Sequence, residues 1–66
     1  MKTGKVKFFN ETKGYGFIRV DHSAEELFFH VSSTEEILEP EDRVSFEEAQ
    51  GKRGPQAVNV KLEDDF

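Results

Sequence analysis

The 66-residue sequence predicts an all-β fold, a five-stranded antiparallel barrel, and three observations lead to this prediction. Several short segments alternate apolar and polar residues with the period of two that is typical of β-strands. Turn-forming residues separate these segments at regular intervals, as expected for a sandwich or a barrel. No segment shows a sustained helical period. A chain of this length has room for one small domain, and we expect residues 1–66 to form it.

The first predicted strand covers residues 5–10 and mixes apolar with basic side chains. Val6 is expected to face the barrel interior and Lys7 the solvent. Phe8 then shares the outer face, unless a bulge shifts the alternation and brings out Phe9 instead. Of the two rings, Phe9 is the one expected in the core.

The second predicted strand, residues 15–20, and the third, residues 27–31, both carry apolar side chains on two faces. Only one face can pack on the core of a small barrel, so the other face must present its rings to solvent. Ile18 and Phe29 mark the expected inner faces. The expected outer side chains are Tyr15, Phe17 and Arg19 on the second strand and Phe28 and His30 on the third.

The last two strands are predicted at residues 43–47 and 57–62, where valines alternate with polar residues. The complete inward set is expected to be Val6, Ile18, Val20, Leu27, Phe29, Val31, Val44, Phe46, Val58 and Val60. Five strands in so short a chain favour the Greek-key barrel known as the OB-fold.

One helical turn is predicted between the third and fourth strands, in the stretch "SSTEEIL". Ser33 and Glu36 have the spacing of a capping box, which is typical of a helix start. Ile37 and Leu38 would then close the open end of the barrel.

The composition excludes several classes of protein. The chain has no cysteine, so neither a disulfide nor a thiolate zinc site is expected, and two histidines are too few for a metal cluster. No apolar run approaches the roughly 20 residues that cross a membrane, and the N-terminus lacks a signal-peptide pattern. These features indicate a soluble, cytoplasmic protein. We separately expect a monomer that needs no cofactor and binds neither membranes nor a small-molecule substrate.

The net charge is −5, yet the charges are segregated along the chain. Residues 1–20 hold five basic residues against one acidic residue, and residues 21–48 hold ten acidic residues against one basic residue. The basic segment contains the outward rings. The acidic run at residues 35–48 is expected on the opposite side of the barrel, because near the rings it would repel an anionic partner.

Outward rings beside basic side chains predict a platform for unpaired nucleobases. Side chains two apart on a strand lie about 7 Å apart, about twice the ~3.4 Å rise of stacked bases, so splayed bases could each rest on a ring. Stacking contributes about 1–3 kcal/mol per base whatever the base. Gly14 and Gly16 have no side chains, so they are expected to let bases approach the backbone closely. The basic residues expected at phosphates are Lys7, Lys13, Arg19 and Arg53.

Four blocks of the sequence, in this order, are "GKVKFFNETKGYGFI", "LFFHVSS", "VSFE" and "GKRGPQAVNV". Together they resemble the bacterial cold-shock protein family across nearly the whole chain, with "KGYGFI" and "LFFHV" similar to its two ribonucleoprotein motifs. The resemblance implies a barrel that binds single-stranded RNA and DNA with low specificity, acts as an RNA chaperone and influences transcription or translation. By position, the implied binding residues are Lys7, Phe8, Asn10, Lys13, Tyr15, Phe17, Phe28, His30 and Arg53.

Three features depart from the family's usual pattern. Phe8 stands where tryptophan is usual, so that part of the platform is smaller. Val31 replaces a usual aromatic residue while Phe29 replaces a smaller inward one, which implies that bulk moves from the surface into the core. The segment after His30 is short and lacks the family's additional exposed phenylalanine. These departures imply a shorter footprint and weaker binding than in a typical member.

Two other function classes remain to be weighed. The ring patch would also suit a protein-interaction module that docks a partner there, and binding to oligonucleotides would separate this alternative from the first. An enzyme is disfavoured because the chain has no cysteine nucleophile and no phosphate-cradling glycine loop, and its carboxylates occur in runs typical of a solvated surface.

Overall fold

The computed structural model describes residues 1–52 and 54–63, and these form five strands and one 3₁₀ turn. The strands are β1 Lys2–Asn10, β2 Tyr15–Val20, β3 Glu26–His30, β4 Arg43–Gly51 and β5 Gly54–Leu62, and the turn is Val31–Ser33. The strands close into a barrel in the order β1-β2-β3-β5-β4. The predicted all-β barrel is confirmed. Four of its ladders are antiparallel, and the short ladder between β3 and β5 is parallel.

A bulge in β1 decides which of its rings faces solvent. The ladder between β1 and β2 skips Lys7, between its pairs at Val6 and Phe8. One extra residue shifts the alternation of a strand. Lys7 and Phe8 are therefore both exposed, whereas Phe9 turns inwards and stacks on Phe29 with ring centroids 5.5 Å apart. Phe8 is thus the outer ring and Phe9 packs against the core, as expected. The expected effect of a bulge is wrong, because the bulge brings out Phe8 and not Phe9.

The core fills the barrel with apolar side chains from every strand. Among the described residues, its members are Val6, Ile18, Val20, Leu27, Phe29, Leu38, Val44, Phe46, Ala57 and Val60. Burying a side chain of the size of valine, leucine or phenylalanine contributes about 1.5–3 kcal/mol. The chain has no cysteine for a disulfide, so this packing is its main source of stability.

Val31 is not a core residue, contrary to the prediction. β3 ends at His30 and the chain turns directly into the 3₁₀ segment, which leaves Val31 40% exposed. The predicted capping box is also wrong, because the turn begins earlier and His30 caps it instead of Ser33. Ile37 is 70% exposed, so only Leu38 of the predicted closing pair joins the core.

Val58 is the second residue that the prediction wrongly places inside. Between the ladder pairs Ser45–Lys61 and Glu47–Val58, β5 contains one residue more than β4. Asn59 lies at this bulge with a φ of 53°, a conformation that asparagine tolerates better than most residues. The extra residue resets the alternation, so the buried side chains of β5 are Ala57 and Val60.

Gly16 makes room for the core and not for a ligand, contrary to the expectation. A Cβ atom at Gly16 would lie 2.8 Å from the ring of Phe29, which is fully buried. Gly14 has a different role, because it adopts a φ of 77° in the turn before β2. That left-handed conformation is one that glycine adopts without a steric cost. Both glycines therefore serve the barrel itself.

Gly16→Ala is expected to destabilise the protein by about 1–3 kcal/mol. The added methyl group would lie 2.5 Å from the carbonyl oxygen of Phe8 and 2.8 Å from the ring of Phe29. Urea unfolding measures the change. The exposed strand residue Gln50 offers a control, since Gln50→Ala should alter stability by no more than about 0.5 kcal/mol. A Gly16→Ala protein as stable as the parent would show that the ring of Phe29 does not lie beneath this position.

A cluster of ion pairs fastens the end of β2 to β4 and to the residue after β5. Arg43 Nη2 donates to Asp21 Oδ2 at 2.6 Å, and Arg43 Nε donates to Glu63 Oε1 at 3.3 Å. The Thr3 hydroxyl donates to the same oxygen of Asp21 at 2.8 Å. The bond from Arg43 and, after it, the bond from Thr3 hold the pKa of Asp21 below its ordinary value of 3.8.

Asp21→Asn is expected to lower the thermal unfolding midpoint at neutral pH, and the deficit should shrink as the solution is acidified. Because the folded-state pKa is the lower one, the ionised carboxylate stabilises the fold above the ordinary pKa, and this contribution disappears as the pH falls through the folded value. Thermal scans between about pH 7 and about pH 2 measure the effect. Glu11→Gln, at an exposed turn position, is the control, and a deficit that is independent of pH would contradict the assignment.

Candidate nucleic-acid interface

Four aromatic rings lie side by side on the outer face of β1, β2 and β3; we call them the ring cluster, and they are Phe8, Tyr15, Phe17 and Phe28. The strand registers align them, because Phe17 stands opposite Phe8 on one side and opposite Phe28 on the other. Neighbouring centroids are 5.4–6.3 Å apart. The cluster is therefore one continuous apolar surface that spans three strands.

The rings of the cluster support one another while remaining accessible. Phe8 is 36% exposed, and the other three are half-buried. Phe17 meets Tyr15 and Phe28 nearly edge-on, at interplanar angles of 84° and 77°. Edge-to-face contacts are favoured by the ring quadrupoles and fix the orientation of each ring. The surface is thus largely preformed before any ligand arrives.

Two polar residues flank Tyr15, and each has one atom committed to the local backbone. Asn10 Oδ1 accepts from the Lys13 amide at 3.0 Å and shapes the turn between β1 and β2. His30 Nδ1 accepts from the Ser32 amide at 3.1 Å. A neutral His30 therefore carries its proton on Nε2, so this exposed ring offers an N–H donor beside the ring of Tyr15.

The basic residues predicted to contact phosphates differ in their partners. Lys13 is exposed and makes no ion pair with any carboxylate in residues 1–52 and 54–63. Lys7 reaches across β2 to Glu26, with Nζ 3.0 Å from Oε2. Ion pairs as exposed as this one are weak, so a phosphate can compete for Lys7. Arg53 lies outside the described residues.

The acidic side chains of β4 stand on a strand that carries none of the rings of the cluster. β4 is separated from β2 by β1 on one side and by β3 and β5 on the other. Glu48 pairs with Lys2, and Glu47 accepts a hydrogen bond from Asn59. Glu41 is the exception within the acidic run, because it lines a shallow depression together with Lys7.

Lys5 and Glu26 belong to this outer face, although the sequence did not single them out. Both stand directly opposite Arg19, Lys5 on β1 and Glu26 on β3. The prediction started β1 at residue 5 and β3 at residue 27, which left these two residues at or beyond the strand ends. Strand alternation could have identified Lys5, because it places Lys5 on the same side of β1 as Lys7.

The fold and the ring cluster define the class of this protein: an OB-fold barrel whose β1–β3 sheet face carries a cluster of aromatic rings. The 'Cold-shock' DNA-binding domain family matches residues 2–63. The chain is 50% identical to the Cold shock-like protein CspD of Bacillus cereus, over 91% of this chain and 96% of that protein. It is 48% identical to the Cold shock protein CspV of Vibrio cholerae, over 88% of this chain and 89% of the relative.

The chain therefore belongs to the cold-shock domain family, and the resemblance seen in the sequence is confirmed. This membership supports nucleic-acid binding as the function. The prediction that the chain is not an enzyme is also confirmed, because the family consists of nucleic-acid-binding, non-enzymatic proteins. The described residues include no helix with the length and apolar character of a membrane span.

Phe17→Ala is expected to cost only about 1–2 kcal/mol of stability, because the ring is half-buried and the other rings can close over part of the gap. Phe29→Ala is the matched comparison. Phe29 is fully buried, and its truncation should cost about 3–5 kcal/mol. Urea unfolding of both variants measures the difference, and equal costs would place Phe17 in the core.

Proposed function

We propose that this protein binds single-stranded RNA and DNA with low sequence specificity, by stacking unpaired bases on the ring cluster. The observation that carries the proposal is the continuity of these rings across three strands. Lys13, in the turn that leads into β2, adds a positive charge that forms no ion pair within residues 1–52 and 54–63. In a duplex the base faces are already covered by neighbouring bases. A surface of rings therefore selects strands whose bases are free.

The proposed binding residues are Lys7, Phe8, Asn10, Lys13, Tyr15, Phe17, Phe28, His30 and Arg53. The rings supply stacking, and the basic residues supply phosphate contacts. Stacking does not distinguish one base from another, because every base has a π-face. Asn10 and His30 are the exceptions in this set, since each can hydrogen-bond a base edge. A modest base preference would then arise next to Tyr15.

The free energy of base stacking also supports the proposed role as an RNA chaperone. Each stacked base gains about 1–3 kcal/mol, which is comparable with about 1.4 kcal/mol for one base-pair step of a duplex. A protein that binds only the open strand shifts the equilibrium of a weak hairpin towards that strand by mass action. Melting of this kind would influence transcription or translation. We propose that residues 1–66 act as a single domain, as a cytoplasmic monomer.

The proposed footprint is short. Val31 is exposed next to His30 but has no π-face, so it adds no further ring on which a base could stack. Phe8 offers a smaller ring than an indole would. Fewer and smaller rings mean fewer stacked bases, because each base needs its own π-face. We therefore propose weaker binding than in a typical member of the family.

A second candidate is a protein-interaction module. The observation in its favour is the continuous apolar surface, since exposed patches of this kind also mark protein-binding sites. The two candidates differ in their response to salt. Phosphate contacts make nucleic-acid affinity fall steeply with added salt, whereas docking of an apolar partner depends on salt only weakly.

Titration with a short oligothymidine tests the proposed function, and the fluorescence of Tyr15, the only tyrosine in a chain without tryptophan, reports binding. We expect quenching of Tyr15, affinity that falls with salt, and much weaker binding to duplex DNA of the same length. Phe17→Ala should weaken binding by about 1–3 kcal/mol, because it removes one ring on which a base can stack. Ile37→Ala is the control, since Ile37 is 70% exposed and lies outside the ring cluster.

Two results would contradict the proposed function. Equal affinity for single-stranded and duplex DNA would show that binding is electrostatic and does not use the rings. Equal effects of Phe17→Ala and Ile37→Ala would remove Phe17 from the binding surface. If oligothymidine fails to bind at all, the protein-interaction module becomes the better candidate.

A further inference from the structure

Two basic residues on the outer face, Lys5 and Arg19, stand directly opposite each other. Lys5 on β1 pairs in register with Arg19 on β2, and both side chains are exposed. Like charges at directly opposed positions of an antiparallel ladder destabilise it. Within residues 1–52 and 54–63, neither residue forms an ion pair with a carboxylate. Glu26 stands opposite Arg19 in the ladder with β3, but its carboxylate bonds Lys7, so it offsets this repulsion only in part.

The neighbouring basic residues, in contrast, form ion pairs with carboxylates. Arg43 stands opposite Lys5 in the ladder with β4, but its charge is offset by Asp21 and Glu63. Lys7, on the other side, is paired with Glu26. The positive charge of Lys5 and Arg19 is therefore a local excess between two neutralised positions, and an anion from outside the chain would relieve it.

The position of the pair suits the backbone of a strand that lies on the ring cluster. Arg19 follows Phe17 by two residues on the same face of β2, so the two side chains lie about 7 Å apart along the strand. That distance equals about two rises of ~3.4 Å between stacked bases. A phosphate within about two nucleotides of a base on Phe17 can reach the pair.

A shallow depression on the surface includes both residues, and its other charged lining residues are Lys7, Glu26 and Glu41. Glu26 stands opposite Arg19 in the ladder with β3, yet its carboxylate bonds Lys7, with both oxygens within 3.2 Å of Nζ. The two carboxylates limit the affinity of the depression for an anion, and the three basic residues outnumber them.

We propose that Lys5 and Arg19 form a second phosphate subsite, which extends the footprint of a single strand by about two nucleotides beyond Phe17. This inference rests on the proposed function, and it specifies where the bound single strand continues beyond the ring cluster. The guanidinium of Arg19 matches two phosphate oxygens with parallel donors, and the ammonium of Lys5 adds a point charge. The ring cluster holds the bases, and this pair holds the backbone that leaves the cluster.

The test compares oligothymidines of about four and about eight nucleotides, of which only the longer one extends past the rings. A single strand loses a salt slope of about 0.7 for each phosphate contact removed. Lys5→Ala and Arg19→Ala should therefore each lower the slope for the longer oligothymidine by about 0.7 and weaken its binding about fivefold near 0.1 M salt. The shorter oligothymidine should bind both variants almost as it binds the parent.

Lys61→Ala is the matched control, because Lys61 is also exposed and unpaired among the described residues but lies on β5, opposite β4. It makes the same change in net charge. Thermal unfolding should show that Arg19→Ala is folded and no less stable than the parent, because the variant removes a repulsion. Glu26→Gln should have the opposite effect on affinity, a gain for the longer oligothymidine, because it removes a competing carboxylate.

The outcomes separate this inference from the proposed function. If the parent binds both oligothymidines and Arg19→Ala behaves like Lys61→Ala on the longer one, the subsite does not exist while the ring cluster still binds bases. Glu26→Gln also frees Lys7, so the subsite requires a larger gain for the longer oligothymidine than for the shorter one, and equal gains would contradict it. If the parent binds neither oligothymidine, the proposed function itself fails, and the subsite falls with it.

Discussion

The extra residue at Lys7 in β1 is the constraint from which the rest of the outer face follows. It shifts the alternation, so that Phe8 completes the ring cluster while Phe9 turns inwards and stacks on Phe29. Without the bulge, the ring of Phe9 would lie outside and the core would lose one of its stacked partners. The residues before the bulge keep their own phase, which is why Lys5 stands opposite Arg19. One local irregularity therefore builds the core and arranges both halves of the proposed binding surface.

A net charge of −5 does not prevent such a surface from attracting an anionic strand. At 0.1 M salt, charges more than about 10 Å apart are largely screened when they face water. The carboxylates of Glu47 and Glu48 on β4 face water on a strand that carries no ring of the cluster, so salt screens much of their effect on it. The carboxylates that matter are the near ones, Glu26 and Glu41, and Glu26 is already engaged with Lys7. Local arrangement decides the interaction here, because screening removes most of the effect of the total charge.

Alternation along single strands made the barrel and the outer rings predictable. In β2 the apolar face of Ile18 and Val20 left Tyr15 and Phe17 outside, and the structure agrees. The same rule failed at Val58, because a bulge at Asn59 resets β5, and alternation cannot reveal a bulge whose position depends on the partner strand. The pairing of Lys5 with Arg19 was likewise out of reach, since register joins residues that are distant in sequence. Gly16 was expected to let a ligand approach the backbone, whereas the structural reason for this glycine, the ring of Phe29, lies on another strand.

The distribution of aromatic bulk between the two sides of the sheet links stability to the proposed binding. Phe29 fills the space that Gly16 leaves open, and the resulting core stabilises a barrel that has few other means of doing so. Val31, just beyond β3, adds no π-face to the exterior. A chaperone for weak hairpins must release the bound strand again. Each further stacking ring would strengthen the binding free energy of that strand by about 1–3 kcal/mol. A strong core with a small ring cluster is therefore a consistent combination, because a stable barrel can present a surface that binds unpaired bases without retaining them.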